Sequence, residues 1–283
     1  MRMKMSKLYS LKRAVMVMAM IFIVLSSLTA CSQDTDKTDL RESQIDKIVK
    51  KGTLKVGLDV FVPWAFKDKD GNLVGFEVDV AKKLAEDMGV EVEFVPTEWS
   101  GIIPSLLTGK FDVIIGGMSI TSERALKVNF SIPYEWTGID FVVNQNMLPS
   151  VTSLEELNNE DVIIAVRLGG TPAAAAKKFA PKAQLHQFDT DEAVIQDVLN
   201  GNAHVAFASS PTPAFWVVDY PDVLYRPFNG ELLTKEPSGF AVRKGDPDTV
   251  FFFNSWILQN EDWLKEKSDY WYGTKEWESL LGG

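Results

Sequence analysis

Phe111-Asp112-Val113-Ile114-Ile115-Gly116-Gly117-Met118-Ser119-Ile120-Thr121-Ser122-Glu123-Arg124 is the stretch on which the reading of this chain turns. Phe111 to Ile115 is an apolar run of buried-strand length. Thr121 or Ser122 can cap a helical turn that carries Glu123 in its first positions. Strand, glycine loop and capped turn are therefore expected in that order. The glycines let a ligand approach the backbone closely. Ser119 offers a hydroxyl, and Arg124 a planar fork that fits a carboxylate in a bidentate way. Open α/β sheets hold ligands beyond the carboxyl ends of their strands, so the functional reading is a carboxylate clamp. The plain alternative is a surface arginine closing a helix turn.

Upstream, Thr53 to Asp59 alternates as a strand and Lys67 to Asn72 is a turn between two short extended pieces. Val80, Ala81, Leu84, Ala85 and Met88 fall at helical spacing before Gly89. Val92 to Val95 reads as a strand, and Ile102, Ile103, Leu106 and Leu107 form a second helical stripe. Alternating strands and helices predict an α/β fold with a largely parallel sheet. Downstream, Gly138 to Asn144 reads as a long strand, and then the pattern restarts. Ser153 to Glu156 has the form of a capping box. Val162 to Val166 predicts a buried strand, followed by a helix with Thr171 as N-cap and Pro172 at its first position. Gln184–Phe188, Asp191–Leu199 and Ala203–Ala208 predict strand, helix, strand. Ser238 to Arg243 is a late strand, and a tryptophan-rich helical tail runs from Asp248 to Leu281. Two α/β units in tandem result.

The chain begins with Arg2, Lys4, Lys7, Lys12 and Arg13, has no acid before Asp34, and continues into an apolar run from Ala14 to Leu25. This is the pattern of a secretory signal peptide, too short for a comfortable membrane span. Leu28-Thr29-Ala30-Cys31 resembles the lipobox of bacterial lipoproteins, which implies a signal peptide over residues 1–30 and an acylated Cys31 holding the protein at the cell envelope. Multiple acyl chains would keep it there. Cys31 is the only cysteine, so no disulfide within the chain is possible. Residues 31–47 are polar and read as a flexible tether. Removing residues 1–30 takes the formal charge from −10 to −15 and leaves 253 residues. That balance argues against nucleic acid and against electrostatic attraction to anionic lipid. HExxH, GxSxG and paired-cysteine metal motifs do not occur in the sequence, no cofactor is expected, and His186 and His204 are read as structural.

Gly75-Phe76-Glu77-Val78-Asp79-Val80-Ala81, the Gly-Met-Ser-Ile-Thr-Ser-Glu-Arg stretch, Phe130-Ser131-Ile132-Pro133-Tyr134 and Gly169-Gly170-Thr171 together resemble the extracellular solute-binding proteins of bacterial amino-acid ABC importers. The resemblance implies a two-lobe, type II periplasmic-binding-protein-like fold. Residues 48–142 with 239–283 would form one lobe and 143–238 the other, joined by crossover strands near 138–144 and 238–243. Hinge closure of the lobes on ligand is the behaviour known for such proteins. The resemblance further implies a monomer that delivers its cargo to a membrane permease. Arg124 and Thr171 would hold the ligand's carboxylate, and Gly117 would accept from its ammonium. Met118, Ser119 and Gly170 would lie alongside, Phe61 would pack on the ligand with Trp64 beside it, and Asp59 would add an acidic contact.

Departures from the family pattern shape the expected ligand. Ser209 stands where many members carry an Asp that neutralises the ammonium, and Arg167 where many carry an apolar or lysine residue. On sequence, the cleft loses a negative group and gains a positive one, which disfavours a simple cationic amino acid such as lysine and favours a ligand with an extra anionic group or with no free ammonium. Glu98 could take over the ammonium, or be a solvated strand end. Trp64, Trp99 and Trp136 could cage a cation or simply pack. A second class is an enzyme, because a few proteins of this fold family are cyclohexadienyl dehydratases. That chemistry needs a carboxyl held protonated, for which Asp59 and Glu98 are candidates. A sensor domain is a third, less favoured class.

Overall fold

The computed structural model describes residues 42–281. The signal peptide, Cys31 and most of the tether lie outside the described residues. The first element is a helix, α1 (Gln44–Lys51), closed at its start by a reciprocal capping box between Ser43 and Asp46. The stretch read as tether thus gives way to helix before residue 47. The Ser-x-x-Asp spacing is an N-terminus signal that the polar composition hid.

In the first lobe, β1 (Thr53–Leu58) pairs in parallel with β4 (Glu91–Pro96) and with β5 (Val113–Ile114). Two short strands complete the sheet, β14 (Ala241–Val242) and β6 (Asn129–Phe130), in the order β4-β1-β5-β14-β6. β14 runs antiparallel to both of its neighbours. A small hairpin, β2 (Phe66–Lys67) with β3 (Leu73–Val74), leads into α2 (Phe76–Met88). The helical stripe Val80, Ala81, Leu84 and Ala85 is buried, and Gly89 ends the helix at φ 67°. α3 (Trp99–Leu107) covers the sheet through Ile102 and Leu106, and a single turn, α4 (Ser122–Ala125), follows the glycine loop.

The second lobe has its own mixed sheet in the order β10-β9-β11-β8-β12: β8 (Ile139–Asn144), β9 (Ile163–Arg167), β10 (Gln184–Phe188), β11 (Val205–Ser209) and β12 (Leu224–Tyr225). β9 is parallel to β10 and β11, whereas β8 runs against β11 and β12. α5 (Thr171–Phe179), α6 (Asp191–Leu199) and α7 (Thr212–Asp219) cover it. α7 escapes a pattern reading because Pro211 and Pro213 look like loop.

Two strands carry the chain between the lobes, β7 (Glu135–Thr137) and β13 (Glu236–Ser238), paired antiparallel. All six residues of β8 are buried within the second sheet, so the crossover lies just before 138–144. The strand expected over 238–243 is divided at Gly239 between the ribbon and β14. Gly138 marks the exit from the ribbon, where a Cβ would meet the Thr234 carbonyl oxygen at 2.1 Å. The capping box expected at Ser153 does not form. Thr152 instead donates its N–H and hydroxyl to Glu156, at 3.2 and 2.6 Å. The tail forms α8 (Pro247–Gln259) and α9 (Glu261–Gly273), and Trp256, Trp271 and Trp277 fill the first-lobe core.

Candidate ligand-binding site

The clamp loop is built as its residues dictate. Gly117 has φ 66°, a backbone region that L side chains rarely occupy, and a Cβ there would stand 2.8 Å from the Trp64 indole. Thr121 accepts from the Arg124 N–H at 3.2 Å and so caps α4. Arg124 is half-buried. Its Nη1 donates to the Ser119 carbonyl at 3.0 Å, and its Nη2 to the Gly169 carbonyl of the other lobe at 3.3 Å. Among the described residues no carboxylate stands within ion-pair distance of this guanidinium. Burial pushes its pKa down, with Glu236 and Glu123 opposing that shift. The Ser119 hydroxyl donates to Glu236 Oε2 at 2.8 Å.

Aromatic rings wall the same space. Phe61 stacks on Trp64 with centroids 4.7 Å apart and meets Trp99 edge-on at 6.4 Å, while the Arg124 guanidinium lies 5.5 Å from the Trp99 ring. From the second lobe come Arg167 at the end of β9, Gly170, Thr171 and Pro172 at the start of α5, Asp191 at the start of α6 and Ser209 at the end of β11. Thr137 of the ribbon completes a cleft with about 490 Å³ of empty space, its open mouth included. The N-cap of α5 is Gly170, so Thr171 is the first helical residue and does not cap.

Three of the expected site residues stand elsewhere. Met118 is 1 % exposed and packs with Ile102, Leu106 and Phe111 in the core; it lies beyond the end of β5, where its carbonyl accepts from the Gly239 N–H at 3.1 Å. Glu98 is exposed, at the N-cap position of α3. Asp59 is buried but does not line the cleft, since its carboxylate is bonded to Arg167 Nη2. Trp136 is 52 % exposed, beneath the Lys235 ammonium. His186 contacts Asp197 at 2.7 Å, and His204 Nδ1 accepts from the Ile163 N–H at 3.1 Å.

Three cleft residues went unread in the sequence: Thr137, Pro172 and Asp191. Asp191 looked only like a first-turn helix acid, with Thr190 as its cap. Its position directly beyond the carboxyl end of a second-lobe strand was the available signal. Asp191 Oδ2 is 3.6 Å from Arg167 Nη1, and burial pushes its pKa up to about 6 against the pull of Arg167. Arg167 also donates through Nε to the Asp189 carbonyl at 3.1 Å, and its guanidinium lies 4.9 Å from the Phe61 ring. The added positive charge expected from Arg167 is therefore met by two carboxylates, and the argument from sequence against a cationic ligand loses its premise.

Beneath the clamp lies a dry polar chain. The Gly117 N–H donates to the Tyr134 hydroxyl at 3.1 Å, and that hydroxyl donates to Glu77, with its two carboxylate oxygens at 2.8 and 2.7 Å. Glu77 is fully buried, and desolvation pushes its pKa up to about 8.

Comparison with known proteins agrees with this fold. The chain is 31 % identical over 235 residues to the L-cystine-binding protein TcyJ of Escherichia coli K12, covering 82 % of this chain and 87 % of that one. The crystal structure of the ancestral amino acid-binding protein AncCDT-1, a precursor of cyclohexadienyl dehydratase, superposes with TM-score 0.73 at 42 % identity, covering 81 % of this chain and 99 % of that one. A binding component of an ABC transporter from Wolinella succinogenes, complexed with lysine, gives TM-score 0.75 at 35 % identity, with coverage of 81 % and 99 %. The two mixed sheets with their flanking helices are the lobes of a type II periplasmic-binding-protein fold. Residues 54–274 match the bacterial extracellular solute-binding proteins, family 3, and the chain belongs to that family: a solute-binding protein with a small-molecule ligand and an ABC permease as its partner.

Proposed function

We propose that the protein captures a compact amino acid or close derivative between its lobes, gripping the ligand's carboxylate with Arg124, and passes it to the permease from a lipid anchor at Cys31 on the outer side of the cytoplasmic membrane. The observation that carries this reading is the Arg124 guanidinium: half-buried in the cleft, bonded to two carbonyls and to no acid. Its remaining N–H donors need an acceptor, and a charge-assisted contact of this kind contributes roughly 1.5–3 kcal/mol. Thr171 supports the same end of the ligand, because the start of α5 presents backbone N–H groups beside it and helix N-termini suit anions. Phe61, Trp64 and Trp99 would cover the apolar part.

The dehydratase alternative needs a carboxyl group held protonated against the ligand. Asp59 is tied to Arg167, Glu98 is exposed outside the cleft lining, and Asp191, which burial raises only to about 6 against the pull of Arg167, is mostly ionised at neutral pH. Binding therefore fits these residues better than elimination chemistry. The test is calorimetric titration with the common L-amino acids, cystine and prephenate. Saturable binding of an amino acid that Arg124→Ala abolishes, with prephenate unchanged by the protein, is the expected result. Turnover of prephenate, or amino-acid binding indifferent to Arg124→Ala, would overturn it.

A further inference from the structure

Ser209 brings no charge to the place where a ligand's ammonium would need one, but the cleft does hold a carboxylate that sequence reading missed. Arg167, Asp59 and Asp191 form one buried cluster: Arg167 bonds Asp59 directly and stands 3.6 Å from Asp191. Burial raises the pKa of both carboxyls, with Arg167 opposing the shift at each; once both are ionised, the one guanidinium leaves one negative charge over. Asp59 does not line the cleft and Asp191 does, so the excess charge faces the ligand at Asp191. Arg124 puts a positive charge on the same cleft, with Glu236 and Glu123 near enough to act on it but, among the described residues, no carboxylate paired with it. Arg167 also lines the cleft, but with Asp59 behind it the cluster as a whole is one negative charge against the positive Arg124, beside aromatic rings, and that balance complements a zwitterion.

We propose that Asp191 is the ammonium-recognising, specificity-determining residue of this cleft, doing from the start of α6 what Ser209 cannot do from the end of β11. This rests on the carboxylate-clamp reading of Arg124. The groups that act on Asp191 are Arg167 from β9, Glu192 from its own helix and Asp59 from the first lobe. Only Arg167 among them favours its charge, and that guanidinium is shared. Burial holds Asp191 near the point of taking up a proton, so a cation reaching its carboxylate from the cleft stabilises the ionised form, and a proton competes with the ligand.

The experiment uses wild type, Asp191→Asn and Arg124→Ala. The twenty common L-amino acids are titrated first, and the tightest binder is then compared with its 2-hydroxy-acid analogue, which keeps the carboxylate and lacks the ammonium. Wild type should prefer the amino acid by about tenfold or more, the size of one charge-assisted contact. Asp191→Asn should bring the two ligands within about threefold by weakening the amino acid alone, and Arg124→Ala should lose both. Should Asp191→Asn not fold, wild type is titrated between pH 5 and 7.5: amino-acid affinity should fall as pH drops through about 6, and hydroxy-acid affinity should not. Full discrimination retained in Asp191→Asn, or no difference between the two pH profiles, overturns the role of Asp191 while leaving the clamp standing. Arg124→Ala binding like wild type, or no amino acid bound at all, removes the clamp and this inference with it.

Discussion

Arg167 at the end of a second-lobe strand bonds the carboxylate of Asp59 in the first lobe, and both side chains are about nine-tenths buried. The two halves of the molecule are thus joined across the cleft by an ion pair, in addition to the covalent ribbon. Arg124 adds a second crossing bond, to the Gly169 carbonyl. A buried pair broken by removing one partner costs about 3–5 kcal/mol when the other charge stays buried. Here Asp59 escapes that cost if the lobes swing apart and water reaches it.

Arg167→Ala is therefore expected to open the unliganded protein more than it destabilises either lobe. Small-angle scattering should give a larger radius of gyration than wild type, while the thermal midpoint falls by only a few degrees. Ligand affinity should drop, because closure must then be driven by the ligand alone. A radius of gyration equal to that of wild type would contradict this.

Arg124→Lys keeps the charge and loses the fork. Lysine cannot reproduce the bonds to Ser119 and Gly169 while also offering two parallel donors to a carboxylate. Affinity should fall about tenfold or more by calorimetry, with little change in the unliganded melt. Affinity within about twofold of wild type would mean that the guanidinium does not grip the ligand in a bidentate way.

Gly117→Ala tests the loop's shape. The residue has φ 66°, and the new Cβ would lie 2.8 Å from the Trp64 indole. Strain of this kind costs about 1–3 kcal/mol. Trp64 must shift to relieve it, which disturbs its stack on Phe61, so both stability and ligand affinity should decline, read by denaturant midpoint and titration.

Glu77 governs a pH dependence whose sign is opposite to that of an ordinary paired carboxylate. Its pKa rises from 4.5 to about 8 because burial disfavours the charged form. The folded protein therefore holds a proton that the unfolded chain releases, and stability is lost as pH rises from about 4.5 to about 8. Glu77→Gln stays neutral and can still accept from the Tyr134 hydroxyl. Its denaturant midpoint relative to wild type should rise between pH 5 and pH 8.5. A wild-type midpoint that climbs steadily with pH through that range, with the same slope in the variant, would refute this.

Much of the cleft was readable because its parts are local. The strand, the glycine pair and the Thr121 cap of α4 lie within fourteen residues, and each follows from side-chain chemistry. Gly170-Thr171-Pro172 marked a helix start for similar reasons, although the cap shifted by one residue. Arg167 and Asp59 were each singled out from the sequence, but their pairing was not, since 108 positions separate them and nothing in either neighbourhood announces a partner. Asp191 was invisible for the complementary reason: an acid in a first helical turn is ordinary, and only the fold turns it toward a cavity. The strand over 138–144 is legible and forms β8 (Ile139–Asn144), but the crossover lies a few residues earlier, at β7, because the extended run continues directly from the ribbon and periodicity does not reveal which sheet a strand joins.

The clamp loop is also laced to the returning crossover. Ile120 N–H donates to the Pro237 carbonyl at 2.7 Å, Gly239 N–H to the Met118 carbonyl at 3.1 Å, and Ser119 to Glu236. Any twist of the ribbon therefore pulls on the backbone that presents Arg124, much as turning a key moves the pin seated against it. With Arg124 holding the cargo as proposed, capture and the angle between the halves would share one mechanical coordinate, and a docking partner that bends the ribbon would loosen the hold without touching the cargo.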